Sequence, residues 1–321
     1  MVKVSVCIQT YNHQPFIAQA LDSVLMQEMD FDYEIVLGED ESRDGTREIC
    51  VGYARRYPDV IRLFLRSRKD VIYVDGRPTG RFNFTENLEA ARGKYIALLD
   101  GDDYWTDPHK LQKEVDLLDS HRELAICFHR VLKRHEASGE ETLAPSREPA
   151  ADRFTISDLL QRNFIPTCSV MFRNRLFEEF PSWFRITPSG DWPLHILNAL
   201  YGDIGYINEV MAVYRLHSSG VWSVRSPAEQ KQRTVETLEI LRENLDPRYD
   251  QELALSLARW RIRLLYSIAR EMGGKAAMQH VPNLLMSSDM PKVTVLRASL
   301  GLVWTRILST LELNPPAGSV F

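Results

Sequence analysis

The sequence predicts an α/β fold, with a mostly parallel sheet flanked by helices, followed by a C-terminal helical region. Three observations predict it. Strand-like and helix-like segments alternate over the first 120 residues, acidic side chains follow two predicted strands directly, and the strand signal ends near residue 225. Such alternation is typical of a parallel sheet covered on both faces. We therefore expect one domain at residues 1–224 and a helical region at 225–321.

Apolar spacing and end signals define the elements of the first 121 residues. Helix-breaking Pro15 and Pro58 mark the start of the first helix and the end of the second, and Ser42 or Asp44 is the expected N-cap of that second helix. The four predicted strands are VKVSVCIQT (2–10), YEIVLGED (33–40), IRLFLR (61–66) and YIALLD (95–100). The later helices are NFTENLEAARG (83–93) and TDPHKLQKEVDLLDSH (106–121).

The remainder of the chain is less regular. A polar segment at 135–152 is expected to be a loop, and a helix is expected to begin near Asp191. Strands are predicted for LAICFHRV (124–131), TCSVMFR (167–173) and IGYINEVMAVYRLH (204–217). Amphipathic helical spacing marks residues 227–245, 251–274 and 292–313. For the last of these we expect packing on the catalytic domain or on a second subunit, with an interfacial helix at a membrane as the alternative.

Composition excludes several classes of protein. The chain has 321 residues, 44% of them hydrophobic, and a net charge of -5, which gives no sign of a nucleic-acid partner. The four cysteines form no CxxC pair and sit in apolar stretches, so we expect buried free thiols in a reducing compartment. No secretory signal and no apolar run of 18 residues is present, which favours a cytoplasmic protein.

Two acidic clusters follow predicted strands, at the edge of an open α/β sheet where ligands bind. Carboxylates without neighbouring His or Cys favour Mg²⁺ or Mn²⁺, and these ions bring phosphate oxygens with them. Because the sequence has neither GxxxxGK[ST] nor GxGxxG, the remaining interpretation is a metal-bridged nucleotide diphosphate. The clusters are Glu39, Asp40 and Glu41 after the second strand, and Asp100, Asp102 and Asp103 after the fourth.

Five segments in consistent order resemble the family 2 glycosyltransferases, which have the GT-A fold. They are VSVCIQTYNH, EIVLGEDESRDGT (34–46), ARGKYIALLDGDDYW (91–105), SGDW (189–192) and VYRLHSSGVWS (213–223). The resemblance covers roughly residues 1–224. It implies nucleotide-sugar binding by residues 1–105 and acceptor binding and catalysis by residues 106–224.

The resemblance also implies residue roles. Tyr11 would stack on or border the base and Asp40 would accept its imide N–H, which favours UDP or dTDP, with GDP as the alternative. Asp191 would be the catalytic base of an inverting, metal-dependent transfer to a saccharide or lipid-linked acceptor. The implied nucleotide-binding residues are Thr10, Tyr11, Asn12, Glu39, Asp40, Arg81 and Asp102; those at Mn²⁺ or Mg²⁺ are Asp102, Asp103 and His217; Arg215 and Trp222 would close over the diphosphate.

The chain departs from the family at several positions, and other interpretations stay open. Glu39 stands where the family commonly has Asp, Gln9 replaces a small hydroxyl residue, and GRFNF (80–84) replaces Ala-Arg-Asn, which bears on Arg81. Asp191 is also a good N-cap for the helix that follows it. The competing functions are a non-catalytic nucleotide-sugar-binding protein and a sugar nucleotidyltransferase. The expected location is the cytoplasm, with peripheral contact at the cytoplasmic face of the membrane as a variant.

Overall fold

The structure, a computed structural model, describes residues 1–146, 149, 151–220 and 222–273. The chain divides into two compact units, residues 1–220 and residues 221–321. Within the described ranges, every helix is too short or too polar to cross a lipid bilayer.

The first unit contains a ten-stranded mixed sheet and a separate two-stranded hairpin. Its strands are β1 (Val4–Thr10), β2 (Tyr33–Glu39), β3 (Ile61–Leu65), β4 (Tyr73–Val74), β5 (Arg77–Pro78), β6 (Tyr95–Asp100), β7 (Tyr104–Trp105), β8 (Leu124–His135), β9 (Glu141–Ala144), β10 (Arg153–Phe154), β11 (Met171–Arg173) and β12 (Asp203–Leu216). Its helices are α1 (Ile17–Leu25), α2 (Thr46–Arg56), α3 (Arg81–Ala90), α4 (Lys110–Ser120), α5 (Ile156–Gln161) and α6 (Asp191–Ala199).

The predicted parallel sheet forms from the first four βα repeats. β1 pairs in parallel with β2 on one side and with β6 on the other, and β2 pairs in parallel with β3. Helices cover this sheet, so β1 is buried along nearly its whole length and carries apolar residues on both faces, as central parallel strands do. All four cysteines are buried free thiols, as predicted.

The sheet continues through strands that follow a less regular order. The path runs β10–β12–β8–β11–β6–β1–β2–β3, with β11 antiparallel to both of its neighbours and β8 parallel to β12. The polar segment at 135–152 is only partly a loop, because β9 forms a hairpin with β8 there. The predicted strand at 167–173 begins as a turn of 3-10 helix over Thr167–Ser169, and only Met171–Arg173 pairs.

The second helix begins later than the sequence suggests. Its N-cap is Gly45, at φ 99°, and not Ser42 or Asp44. The Asp44 carboxylate still accepts a hydrogen bond from the Thr46 N–H, at 3.1 Å. The left-handed backbone at Gly45 explains the difference, because only glycine adopts it without steric cost.

The described part of the second unit, residues 222–273, contains helices, as predicted, with α7 at Pro227–Asn244 and α8 at Asp250–Met272. Ser226 and Glu229 form a reciprocal capping box at the start of α7. The amphipathic helix predicted at 292–313 lies outside the described residues, so its role at a membrane or a second subunit stays a prediction.

Candidate active site

The carboxyl ends of β1, β2 and β6 meet at one edge of the sheet. Thr10 is in register with Glu39, and Gln9 is in register with Asp100. The loops that leave these strands therefore lie side by side. The two acidic clusters predicted from sequence follow β2 and β6, so the fold brings them to the same edge.

The carboxylates of Asp100, Asp102 and Asp103 converge, with one oxygen of each lying within 4.8 Å of the others. Gly101 allows this turn to pass close to β1. A Cβ at this position would lie 2.7 Å from Thr10 Oγ1, which is too close for any side chain. The glycine thus holds the aspartates against the end of β1.

Burial disfavours the ionised form of the carboxylates in this cluster. It raises the pKa of Asp100 to about 7, with neighbouring Asp102 adding to the effect, and it raises the pKa of Asp103 well above its ordinary value. Asp103 Oδ1 accepts a hydrogen bond from the Arg215 N–H at 2.8 Å, whereas Oδ2 is buried and accepts no N–H or O–H hydrogen bond within the described part of the chain. These residues fit a divalent cation, since a hard cation would stabilise all three carboxylates.

His217, which the resemblance places at the metal, contacts the Asp102 carboxylate of this cluster. Its Nε2 lies 2.9 Å from Asp102 Oδ2, and His13 Nε2 lies 3.7 Å from the same oxygen. Although burial opposes it, the hydrogen bond with His217 and the nearby His13 lower the pKa of Asp102. His13 was not among the predicted site residues, although it ends the segment VSVCIQTYNH that carries the resemblance.

Arg215 supports the same loop from the end of β12. Its Nη1 donates to the Asp102 carbonyl oxygen at 2.5 Å, and its guanidinium lies 4.3 Å from the Tyr104 ring centroid. It also contacts Gln19 and Glu136. The side chain is 7% exposed and engaged by protein groups, so in this structure Arg215 holds the aspartate loop.

Tyr11 and Asp40 lie together at the ends of β1 and β2. The Asp40 N–H donates to the Thr10 carbonyl at 3.1 Å, and the Tyr11 ring is 36% exposed. Arg68 contacts both residues, with Nη1 at 2.7 Å from Asp40 Oδ2 and its guanidinium 4.0 Å from the Tyr11 ring centroid. Burial raises the pKa of Asp40 to about 6, although Arg68 counteracts it. Sequence reasoning missed Arg68, because only its place in the loop after β3 could have indicated it.

The remaining residues predicted to bind the nucleotide shape this edge of the sheet. Glu39 is fully buried, pairs with Arg47, and accepts the Ser42 N–H at 2.6 Å. Asn12 joins two loops, because its Oδ1 accepts the Arg43 N–H at 3.0 Å. Glu39 therefore serves the β2–α2 loop here, which accounts for the departure from the family's Asp.

Asp191 begins α6, and it lies close enough to add to the raised pKa of Asp100, after burial and Asp102. Asn163 Nδ2 donates to Asp191 Oδ2 at 2.9 Å. Arg81 lies on this side of the site, where Nη2 donates to the Thr187 carbonyl at 2.9 Å. A Cβ on Gly190 would lie 2.5 Å from Arg81 Nη1, so a larger residue before Asp191 would displace the Arg81 guanidinium.

Trp192 and Trp222 differ in their environments. Trp192 is 3% exposed, and its Nε1 donates to the Leu159 carbonyl at 2.9 Å, which fixes α6 against α5. Trp222 belongs to the second unit, is 40% exposed, and accepts a hydrogen bond on its carbonyl from Gln230 at 3.1 Å. Its role over a diphosphate stays a prediction.

The comparisons with solved structures agree with this fold. The crystal structure of Staphylococcus aureus TarS 1–349 in complex with UDP-GlcNAc matches with a TM-score of 0.60 at 15% identity, covering 98% of this chain and 93% of the TarS 1–349 chain. The mannosyltransferase PcManGT from Pyrobaculum calidifontis, in complex with GDP-Man and Mn²⁺, matches with a TM-score of 0.61 at 17% identity, covering 97% of this chain and 84% of the other. Both likenesses support the predicted GT-A fold.

Sequence relatives lead to the same family. Rv1520 of Mycobacterium tuberculosis is 38% identical over 220 residues, which are 68% of this chain and 60% of Rv1520, so the chain spans less than two thirds of that relative. The glycosyltransferase alr2836 of Nostoc is 28% identical over 227 residues, covering 68% of this chain and 66% of the relative. The profile of the family "Glycosyl transferase family 2" matches residues 5–180. With its mixed sheet, its converging aspartates and this match, the chain belongs to glycosyl transferase family 2.

Proposed function

We propose that the chain is an inverting, metal-dependent glycosyltransferase that moves a sugar from a nucleotide diphosphate to a hydroxyl of a saccharide or lipid-linked acceptor. One observation carries the proposal. The carboxylates of Asp100, Asp102 and Asp103 converge at the edge of the sheet that also holds Asp40 and Tyr11. This arrangement supports a cation beside a base-binding surface, which is what a nucleotide diphosphate requires.

The donor would bind with its base at Tyr11 and Asp40. TarS and PcManGT were solved with UDP-GlcNAc and with GDP-Man, which supports a nucleotide-sugar donor of this general kind. Asp40 Oδ2 is already paired with Arg68, whereas Oδ1 is buried and accepts no hydrogen bond from the described residues. One free carboxylate oxygen matches the single imide N–H of uracil or thymine, so we favour UDP or dTDP over GDP. Asp102 would lie nearer the sugar-nucleotide, and Thr10, Asn12, Glu39 and Arg81 would line or support the nucleotide site.

Mn²⁺ or Mg²⁺, held by Asp102 and Asp103 with His217 beside them, would supply the positive charge that stabilises the leaving diphosphate. Arg215 keeps these aspartates in place through its contacts with the Asp102 carbonyl and Asp103 Oδ1. Holding the carboxylates in advance avoids reorganisation during the reaction.

Asp191 would act as the general base. As the acceptor oxygen forms its bond to the anomeric carbon, the Asp191 carboxylate takes the hydroxyl proton. The bond from that carbon to the diphosphate oxygen breaks, and its electron pair leaves with the diphosphate. Attack from the face opposite the diphosphate inverts the anomeric centre. A base placed in this way typically accelerates transfer by ~10²–10⁴-fold.

The first test is a thermal-shift screen of nucleoside diphosphates and nucleotide sugars, each with and without Mn²⁺. We expect UDP or dTDP compounds to raise the midpoint only when the metal is present. The proposal fails if no nucleotide raises it under either condition. In the same screen Asp191→Asn should bind the donor like wild type, and in a turnover assay it should consume none of the donor. A non-catalytic binding protein would show no difference between Asp191→Asn and wild type in either measurement.

The acceptor determines where the protein works. For a lipid-linked acceptor we propose a cytoplasmic protein whose C-terminal helical region contacts the membrane surface peripherally. Without such an acceptor, we propose that the same region contacts a second subunit. Fractionating cells and washing the membranes with carbonate or high salt tests this. Recovery of all the protein in the soluble fraction before any wash would contradict the membrane contact.

A further inference from the structure

Asn163 makes a directed contact with the proposed base. Its Nδ2 donates to Asp191 Oδ2 at 2.9 Å, and its Oδ1 accepts the Ile165 N–H at 3.3 Å. The second contact fixes which end of the amide faces Asp191, because the oxygen is already in use. Within the described part of the chain, no other group donates a hydrogen bond to the Asp191 carboxylate.

The two residues that follow Asn163 pack against the protein, although Asn163 itself is exposed. Phe164 packs in an aromatic cluster, with its ring centroid 5.0 Å from that of Phe154 and 5.5 Å from that of Phe128. Ile165 is 2% exposed. An amide held by buried neighbours loses little conformational entropy when it donates a hydrogen bond.

The helix that bears Asp191 is fixed against the same segment. The Trp192 Nε1 donates to the Leu159 carbonyl in α5, whose first turn is closed by a capping box between Thr155 and Asp158. Asn163 follows the end of α5 by two residues. Donor and acceptor of the 2.9 Å contact are therefore both set by packed elements, as a preorganised site requires.

We propose that Asn163 is a positioning residue for the catalytic base. It holds Asp191 Oδ2 through the 2.9 Å hydrogen bond and leaves Oδ1 as the atom that takes the acceptor proton. The inference rests on the proposed function, because it assumes that Asp191 is the base. It adds a residue 28 positions away in sequence, which none of the motifs contains.

Other charged groups face Asp191 and act on it at the same time. Arg81 lies against Gly190, the residue before Asp191, and brings a positive charge to this side of the site. His195 lies one turn further along α6, and Asp100 lies across the site at the end of β6. Burial lowers the pKa of His195 to about 4, so its ring is neutral near pH 7. Asn163 is a neutral donor, and its hydrogen bond holds Asp191 in place among these titratable groups.

The test compares Asn163→Asp with Asn163→Ala. The aspartate keeps the shape of the side chain and the acceptor for the Ile165 N–H, but it replaces the donor with a negative charge. We expect Asn163→Ala to lower turnover about threefold to tenfold near neutral pH, the effect of losing one ordinary hydrogen bond at a solvent-exposed position. We expect Asn163→Asp to shift the acid limb of the pH–rate profile to higher pH by about one unit, because it favours the protonated base.

The assay is release of UDP from UDP-GlcNAc with Mn²⁺ and water as the acceptor. The matched control is Asn208→Asp, at an exposed position whose Oδ1 accepts from the Tyr206 hydroxyl and would still do so as a carboxylate. It should leave the acid limb unchanged. A structural role for Asn163 predicts the opposite order, with Asn163→Asp like wild type and only Asn163→Ala impaired.

Two outcomes separate this inference from the proposed function. If Asp191→Asn releases UDP as fast as wild type, the assignment of the base is wrong. If Asp191→Asn is inactive but Asn163→Asp matches Asn208→Asp, the base stands and the positioning role is wrong. Where turnover is too slow to measure, ¹³C NMR of the aspartate carboxyl carbons decides, with the Asp191 signal identified by its loss in Asp191→Asn. Its titration should move to higher pH in Asn163→Asp, and an unmoved signal would overturn the inference.

Discussion

The two acidic clusters at the carboxyl edge of the sheet differ in what balances their charge. After β2, Glu39 pairs with Arg47, Asp40 pairs with Arg68, and Glu41 accepts the Arg68 N–H at 2.6 Å. Each carboxylate in that cluster has a cation or a donor from the protein itself.

After β6 the carboxylates have weaker partners within the described residues. Asp100 accepts from the Gln9 amide at 2.5 Å, Asp102 contacts His217, and Asp103 accepts a single backbone N–H. Arg215 is close, but its Nη1 donates to a carbonyl and not to a carboxylate. Every carboxylate of the first cluster thus has a cation or a donor of the chain beside it, whereas the weaker partners of the second cluster support the proposal that it binds a cation from outside the chain.

The substitution Asp103→Asn tests the difference between the two clusters with the largest expected effect. Removing one carboxylate should abolish the dependence of nucleotide binding on Mn²⁺ and lower turnover by about 10³-fold, since the charge on the leaving diphosphate loses its stabilisation. The same change should raise the midpoint of the metal-free protein, because Asp103 is buried beside two like charges. Thermal shift with and without Mn²⁺ measures nucleotide binding and the midpoint, and release of the nucleoside diphosphate measures turnover.

The control for Asp103→Asn is Asp107→Asn, the same chemical change four residues along the chain. Asp107 pairs with Lys113 at 2.7 Å and is not part of the converging group. It should keep the response to Mn²⁺ and gain no stability. An Asp103→Asn protein that still requires the metal for nucleotide binding would refute the arrangement described for the second cluster.

The substitution Arg68→Met removes the cation that balances Asp40, so the first cluster then lacks a balancing charge as the second does. It leaves Asp40 buried without its cation, and we expect the free energy of unfolding to fall by about 2 kcal/mol. This is less than the ~3–5 kcal/mol for a fully buried pair, because the Arg68 side chain is 22% exposed. In an Asp40→Asn background the same substitution should cost much less, because no charge is left unpaired. A double-mutant cycle by chemical denaturation at neutral pH measures the coupling. Equal losses in the two backgrounds would mean that Arg68 stabilises the fold through Tyr11 alone.

Much of the first cluster and its sheet could be predicted from the sequence. The strands up to residue 100 are short apolar runs bounded by turn residues, and consecutive parallel strands place their carboxyl ends together regardless of detail. The chemistry of Asp40, Asp102 and Asp103 follows from residue type and strand position. Local patterns of this kind survive folding because each depends on its own few residues.

What the sequence could not indicate depends on contacts between distant segments. Arg68 meets Asp40 from the loop after β3, and Asn163 meets Asp191 across 28 residues, with no motif joining either pair. The strand β9 was missed because polar residues at a sheet edge resemble a loop. The contacts of Arg215 with the aspartate loop could not be predicted either, since a sequence gives a side chain's chemistry without its direction.

The pH dependence of stability sharpens the comparison further, with the smallest expected effect. Burial raises the pKa of Asp40 from its ordinary value of 3.8 to about 6 in the folded protein. The folded state therefore binds more protons than the unfolded state between these values, so the free energy of unfolding contributed by Asp40 falls as pH rises from about 4 to about 6, and is level above that. Asp40→Asn should remove this part of the decline, which urea denaturation at half-unit pH steps can resolve. Arg68→Met should extend the decline to higher pH, because the guanidinium is what limits the rise in the pKa of Asp40. If Asp40→Asn follows the wild-type curve throughout, the pKa of Asp40 is the same in the folded and unfolded states, and its pairing with Arg68 offsets its burial.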